Sequence, residues 1–307
     1  MLRKPNKRSS GRVVQGALAA GAALALGSFA MAYRATHPRR MAVRKPEGAG
    51  ELPIEEVVFA SRDGVRLSGW FIPARNAVGG VILCHGFPSN RAEMLPVARL
   101  LAAAGMHLLL FDFRALGRSE GNLCTIGFHE VRDLLGAVDY MTKRPEMAGL
   151  NVGVFGNSMG GAVAIMAAAE DARIQAVGTH GAYATLERAI AQRCRMALGP
   201  LGPAVHKQAV WWGRRLWMDR HPRDVSPADL IARLAPRPVL LLHGSHDRTI
   251  RTEDARTLYE SASGPKELIL LPRSWHIWVH PLDRPTYEES ILRFFTESLA
   301  TASSSLQ

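Results

Sequence analysis

Between residues 81 and 178, short, nearly continuous apolar runs alternate with longer stretches of helical periodicity. The run Val81-Ile82-Leu83-Cys84 leads into a helical stretch over residues 94–104, residues 106–111 into 129–141, and residues 152–155 into 159–169; Ala176-Val177-Gly178 follows. Near-continuous apolar runs of this length suit strands buried on both faces, the condition of a parallel sheet whose crossover helices cover it. A chain with this rhythm is expected to fold as an α/β protein with a doubly wound, mostly parallel sheet. Upstream, residues 56–59 and 65–71 flank the turn pair Asp63-Gly64 and read as a hairpin. The alternation breaks between about residues 181 and 235, a stretch with its own helical and aromatic character, and resumes with the strand-like 239–242, helical 253–261, strand-like 267–271 and a last helix from about 285 to 299. The interruption reads as an inserted helical cap within a domain spanning residues 54–300.

Charge is distributed unevenly. The net charge is +11, yet residues 1–45 carry ten Lys or Arg and no acidic residue, so the remainder is close to neutral and has no electrostatic footprint for a phosphate backbone. Nucleic-acid binding is therefore not expected. Between the basic clusters, residues 13–33 hold no charged side chain and are long enough to cross a bilayer. This segment, with residues 1–33 as a whole, reads as an uncleaved single-pass membrane anchor; the alternative is a cleaved secretory signal ending near Ala30-Met31-Ala32, giving a secreted or periplasmic protein. Five Lys or Arg lie on each side, so the positive-inside rule does not orient it. Residues 34–53 are charged, contain Pro and Gly, lack periodicity and read as a linker. The three cysteines, Cys84, Cys124 and Cys194, have neither disulfide nor metal-ligand spacing.

The chemistry centres on Gly156-Asn157-Ser158-Met159-Gly160-Gly161, which lies between the buried-type strand 152–155 and a helix of small residues. A serine in a sharp strand-to-helix turn is the setting of a nucleophile elbow, where a neighbouring helix N-terminus faces developing negative charge. A serine hydroxyl needs a base, and the base needs an orienting group; in hydrolase order the acid and then the histidine follow the serine. Asp247, in HGSHD after strand 239–242, is the candidate acid; Asp224 and Asp229 are rivals that read more simply as helix-start residues. His276, in SWHIWVHP after strand 267–271, is the candidate base, with His280 as runner-up. The four-residue spacing of the two histidines lacks the glutamate and third ligand of a zinc motif, so no metal and no cofactor are expected. The oxyanion hole is assigned to the backbone N–H groups of Met159, after the nucleophile, and Phe87, in the loop His85-Gly86-Phe87.

Taken together, DGVRLSGWFIP, HGFPSNR, FDFRALGRSEG, GNSMGG, HGSHD and SWH resemble the serine hydrolases of the α/β-hydrolase superfamily, nearest the membrane-associated Bem46-like or serine-aminopeptidase-like (peptidase S33) bacterial esterases. The landmarks run from about Ile54 to Phe295 and skip the cap; they specify the superfamily, not the subfamily. The resemblance implies an α/β-hydrolase fold and structural roles for Asp112 and Arg114. It also marks two departures: Ala115 where relatives carry glycine, and Trp275 where many carry glycine before the histidine, which is expected to narrow the site.

The expected activity is hydrolysis of a carboxylic ester through an acyl-enzyme intermediate, on a small-molecule ester or acyl substrate. A peptidase or thioesterase would use the same residues, and a non-catalytic binding protein on this fold is the alternative from another class. Residues 181–223 carry a net +6 and include Trp211, Trp212 and Trp217. Such a cap is suited to an acyl chain, anionic lipid or an anionic leaving group, or else is a solvated helix face with core tryptophans.

Overall fold

The computed structural model describes residues 7–44 and 52–300. Residues 1–6 of the expected anchor segment and 45–51 of the expected linker lie outside the described residues.

Eight strands form one sheet: β1 (Glu55–Ala60), β2 (Arg66–Ile72), β3 (Gly79–Cys84), β4 (Met106–Phe111), β5 (Val152–Asn157), β6 (Ile174–His180), β7 (Val239–Gly244) and β8 (Lys266–Leu271). Their order across the sheet is β1-β2-β4-β3-β5-β6-β7-β8. The β1–β2 and β2–β4 pairs are antiparallel and every other pair is parallel. The hairpin turn at Asp63-Gly64 uses glycine at φ 86°, a conformation that costs glycine little and other residues more. Strands β3, β4, β5 and β7 are buried at every position, as nearly continuous apolar runs require.

Two cores explain that double burial. On one face α3 (Glu130–Thr142), α4 (Met159–Glu170) and α8 (Thr252–Ser261) pack on residues such as Ile82, Leu109, Val154 and Leu241. On the other, α2 (Leu95–Ala103) and α9 (Arg284–Leu299) cover Val81, Leu108, Phe155 and Leu240. Neighbouring residues on one strand thus belong to opposite cores. All three cysteines are buried free thiols.

The helices α5 (Leu186–Leu198), α6 (Gly202–Leu216) and the single turn α7 (Pro227–Leu230) are inserted between β6 and β7. Helix α1 runs from Lys7 to Thr36, past residue 33 where the sequence reading ends it. Its stretch Leu18–Thr36 is long and apolar enough to cross a membrane. Its last turns lie on this inserted segment: Ser28 Oγ donates to Gln208 Oε1, and the Phe29 ring meets Trp212 and Trp217, each at 5.5 Å. Trp212 and Trp217 are thus neither core nor free aromatics; they are the surface on which α1 rests. The chain after α1 is also tied to the domain, with Cys124 N–H donating to the Thr36 carbonyl and the Arg40 guanidinium donating to the carbonyls of Ser119 and Gly121.

Candidate active site

The sheet order reverses between β3 and β5, and the crevice outside the carboxyl ends of those strands is where an open α/β sheet accommodates a ligand. Ser158 stands there, between β5 and α4, at φ 50° and ψ −115°. That backbone conformation is strained for a residue with a side chain and needs surrounding structure to hold it. The Ser158 N–H donates to the His180 carbonyl at 2.8 Å, and α4 begins at the next residue. Close packing dictates the flanking glycines. A Cβ on Gly156 would lie 2.3 Å from the Gly160 backbone, and one on Gly160 would lie 2.3 Å from the Cys84 carbonyl oxygen of β3.

His276 Nε2 lies 2.9 Å from Ser158 Oγ, and His276 Nδ1 lies 2.6 Å from Asp247 Oδ2. The Asp247 side chain is fully buried and its Oδ1 accepts the N–H groups of Thr249 and Ile250 at 2.8 and 2.9 Å. Because the carboxylate accepts the Nδ1 proton, Nε2 presents its lone pair to the serine hydroxyl. The three residues named from sequence are therefore brought together from the ends of β5, β7 and β8.

The rivals lie elsewhere. His280 Nδ1 accepts the Leu282 N–H, and its own backbone N–H donates to Ser274 Oγ, so it organises the turn beyond His276. Asp224 accepts the His221 N–H, and Asp229 sits in the first turn of α7. A further histidine, His180, is buried at the end of β6 with both ring nitrogens unpartnered among the described residues. Burial pushes its pKa down to about 3, which keeps it a neutral packing group.

Phe87 and Met159 line the cavity above Ser158, and neither backbone N–H has a protein acceptor among the described residues. Glu93, which sequence reasoning missed, and His85, named there only as part of the loop, hold this loop in place. Glu93 Oε1 accepts both the Gly86 N–H at 2.9 Å and Asn157 Nδ2 at 3.0 Å, tying the Phe87 loop to the end of β5. His85, fully buried, lies with Nδ1 2.8 Å from the Gly86 carbonyl oxygen, and its Nε2 accepts the Phe113 N–H at 3.1 Å. The first geometry fits an Nδ1–H donor, the tautomer that leaves Nε2 free to accept.

Asp112 and Arg114 lie behind this layer. Asp112 accepts the backbone N–H groups of Arg91 and Arg118 and pairs with the buried Arg91 guanidinium. Arg114 joins Asp63 and Asp133. Ala115, at the position relatives give to glycine, adopts φ 61°, a left-handed conformation that costs about 1 kcal/mol. Trp275 does not narrow the cavity: it is not among the lining residues, is half exposed, and carries Arg248 over its ring.

The cavity measures about 310 Å³. Its walls are apolar apart from Ser158, Tyr183, Arg34 and Arg193, and the Tyr183 hydroxyl donates to the Ile126 carbonyl. Among the described residues no group of three or more His, Cys, Asp or Glu side chains is placed to hold a metal ion.

A twisted, mostly parallel sheet with helices on both faces and a strained serine at a strand-to-helix elbow defines an α/β hydrolase. The chain belongs to the serine aminopeptidase S33 family, whose model matches residues 75–230, a segment that contains Ser158 and ends before Asp247 and His276. It is 29% identical over 257 residues to YfhR of Escherichia coli O157:H7, named as an uncharacterized protein, covering 80% of this chain and 81% of that one. It is 24% identical over 271 residues to the polyketide transferase GrgF of Penicillium, covering 75% and 92%. Among solved structures it is similar to the Pyrococcus furiosus esterase Pf2001, with a TM-score of 0.71 at 24% identity over 85% of this chain and 99% of that one.

Proposed function

We propose that this protein is a serine esterase that hydrolyses carboxylic esters through an acyl-enzyme. Ser158 attacks the carbonyl carbon while His276 Nε2 takes its proton, and Asp247 holds the imidazole in the required tautomer and balances the imidazolium. The N–H groups of Phe87 and Met159 receive the tetrahedral oxygen. His276 then protonates the leaving alcohol, and water activated by the same imidazole releases the acid. The observation carrying this reading is the hydrogen-bonded series Ser158–His276–Asp247, with separations of 2.9 and 2.6 Å.

The family description raises an aminopeptidase as the second reading. Such an enzyme must hold a substrate's α-ammonium group, for which a carboxylate is the natural partner. Among the described residues, those lining this cavity include two arginines and no Asp or Glu, which favours an ester. We further propose that α1 attaches the protein to a membrane and that α5 and α6 form a cap over the site.

The test uses the full chain in detergent with a fluorophosphonate probe and 4-nitrophenyl esters. The wild type is expected to label and turn over, and Ser158→Ala is expected to lose labelling and at least ~10⁴-fold of kcat. Equal labelling of the two proteins, or an inert wild type, would falsify the mechanism.

A further inference from the structure

The cavity above Ser158 has one wall that the hydrolase sheet does not supply. Met31, Arg34 and Ala35 of α1 face Ile190, Arg193 and Cys194 of α5 around the same space. The contact between the two helices is direct, with Cys194 Sγ 3.6 Å from Met31 Sδ. The N-terminal helix is therefore part of the cavity wall.

Charge at this mouth is one-sided. Among the described residues, Arg34 and Arg193 are the only charged ones lining the cavity, both are exposed, and neither has a carboxylate partner. Most arginines nearer the sheet differ: Arg62, Arg91, Arg114, Arg144 and Arg173 each meet at least one carboxylate. Two unneutralised guanidiniums at the rim of an apolar concavity concentrate positive potential where a substrate enters. The remaining lining is apolar, apart from Ser158 and the satisfied Tyr183 hydroxyl.

We propose that Arg34 of α1 and Arg193 of α5 form an anion subsite, so that the preferred substrate is an ester combining an apolar acyl chain with an anionic group that reaches the cavity rim. This rests on the reading of Ser158 as the nucleophile. The anion comes either from a lipid headgroup or from a soluble acyl ester, and guanidinium suits both because it offers paired N–H donors to carboxylate or phosphate oxygens. The position of α1 brings the lipid source within reach. Its uncharged turns ahead of the docked residues, 13–27, extend about 22 Å, less than the hydrocarbon thickness of a bilayer. A membrane that takes up this helix would meet the cavity rim near its surface.

The experiment compares kcat/KM for two anionic probes with their neutral methyl esters, using the full chain in a non-ionic detergent. One probe is the mono-4-nitrophenyl ester of dodecanedioic acid, with the anion on the acyl chain. The other is 4-decanoyloxybenzoate, with the anion on the leaving group. At least one pair is expected to show about a 10-fold preference for the anion, carried mainly by KM and weakened by raising NaCl from 50 to 500 mM (an order-of-magnitude change on which Debye screening acts). The double variant Arg34→Gln/Arg193→Gln is expected to abolish the preference, Arg34→Lys/Arg193→Lys to retain most of it, and Arg99→Gln on α2 to leave it unchanged. Equal hydrolysis within both pairs overturns the proposal, as does a preference that survives the double Gln variant. Lysophosphatidylglycerol against lysophosphatidylcholine in mixed micelles then separates the sources: faster cleavage of the anionic lipid assigns the subsite to headgroups, and cleavage of the soluble anion alone assigns it to soluble esters. Loss of all turnover and of Ser158 labelling would instead refute the esterase reading itself.

Discussion

The rim of the sheet and the helices above it are built by different physics. At the rim, the candidate catalytic groups are held by hydrogen bonds: Ser158 by the His180 carbonyl, Asp247 by the N–H groups of Thr249 and Ile250, His276 by the Asp247 carboxylate, and the Phe87 loop by the Glu93 carboxylate. Above it, α1, α5 and α6 meet largely through rings and small side chains, and Arg34, Arg193 and Trp211 stand in solvent. Preorganised dipoles are what a bond-breaking step needs, because reorientation during reaction would consume their advantage. Selection of an acyl group needs volume and charge, which helices can vary without disturbing the strands. The rim should therefore lose activity steeply when one hydrogen bond is altered, and the helices should change preference more than rate.

The sharpest break is at Asp247. In Asp247→Asn an amide replaces the acceptor of the His276 Nδ1 proton, and the imidazole is free to take the opposite tautomer, with Nε2 protonated and unable to accept from Ser158. A loss of about 10⁴-fold in kcat is expected, the size measured for this substitution in a serine-protease triad. His280→Ala, which alters a turn outside the hydrogen-bonded series, is expected to stay within about 2-fold, a surface-sized effect. Steady-state kinetics on a 4-nitrophenyl ester separates them, and a large loss in His280→Ala would reassign the base.

How far each region can be read from the sequence follows the same division. Strands β3, β4, β5 and β7 were legible because burial on both faces leaves few polar positions to confuse the pattern; the candidates Ser158 and Asp247 follow two of them, β5 and β7, whereas His276 follows the partly buried β8 and was singled out by its place after the last apolar run. Glu93 was not, since nothing in HGFPSNRAE signals that its carboxylate folds back to Gly86 and Asn157. The docking of α1 was hidden for a stronger reason. An apolar helix with Phe29 and Tyr33 reads as lipid-facing, and its partners Trp212 and Trp217 lie far along the chain, where tryptophans serve a core equally well. The helix consequently runs on to Thr36 where composition suggested a linker from residue 34.

A smaller effect is expected at Glu93, which ties the Phe87 loop to the end of β5 and, in the proposed mechanism, positions both. Glu93→Ala releases the Gly86 N–H and Asn157 Nδ2 together, leaving the Phe87 donor free to drift. Direct loss of an oxyanion donor costs about 10²–10³-fold, so an indirect loosening is expected to cost about 10-fold, in kcat rather than KM. Glu93→Gln keeps one acceptor oxygen and should recover part of it. A defect of equal size in KM, or no recovery with Gln, would make Glu93 a fold residue instead of a positioning one.

The smallest effect tests the helical side. Trp217 lies outside the cavity lining, yet its ring packs on Phe29, Tyr33 and His37, at 5.5, 5.7 and 5.4 Å. Trp217→Ala removes that support, so α1 should move away and widen the wall formed by Met31 and Ala35. Fluorophosphonate labelling of Ser158 is expected to change less than about 2-fold, because the hydrogen bonds of the rim are untouched. The ratio of decanoyl to acetyl ester turnover should fall about 5-fold, since a long chain loses contact along the displaced wall at roughly 0.8 kcal/mol per buried methylene and a short one reaches little of it. A ratio that does not move would mean that α1 forms no wall in solution, and the division between a rigid rim and a selective helical layer would have to be redrawn with α5 alone as the selector.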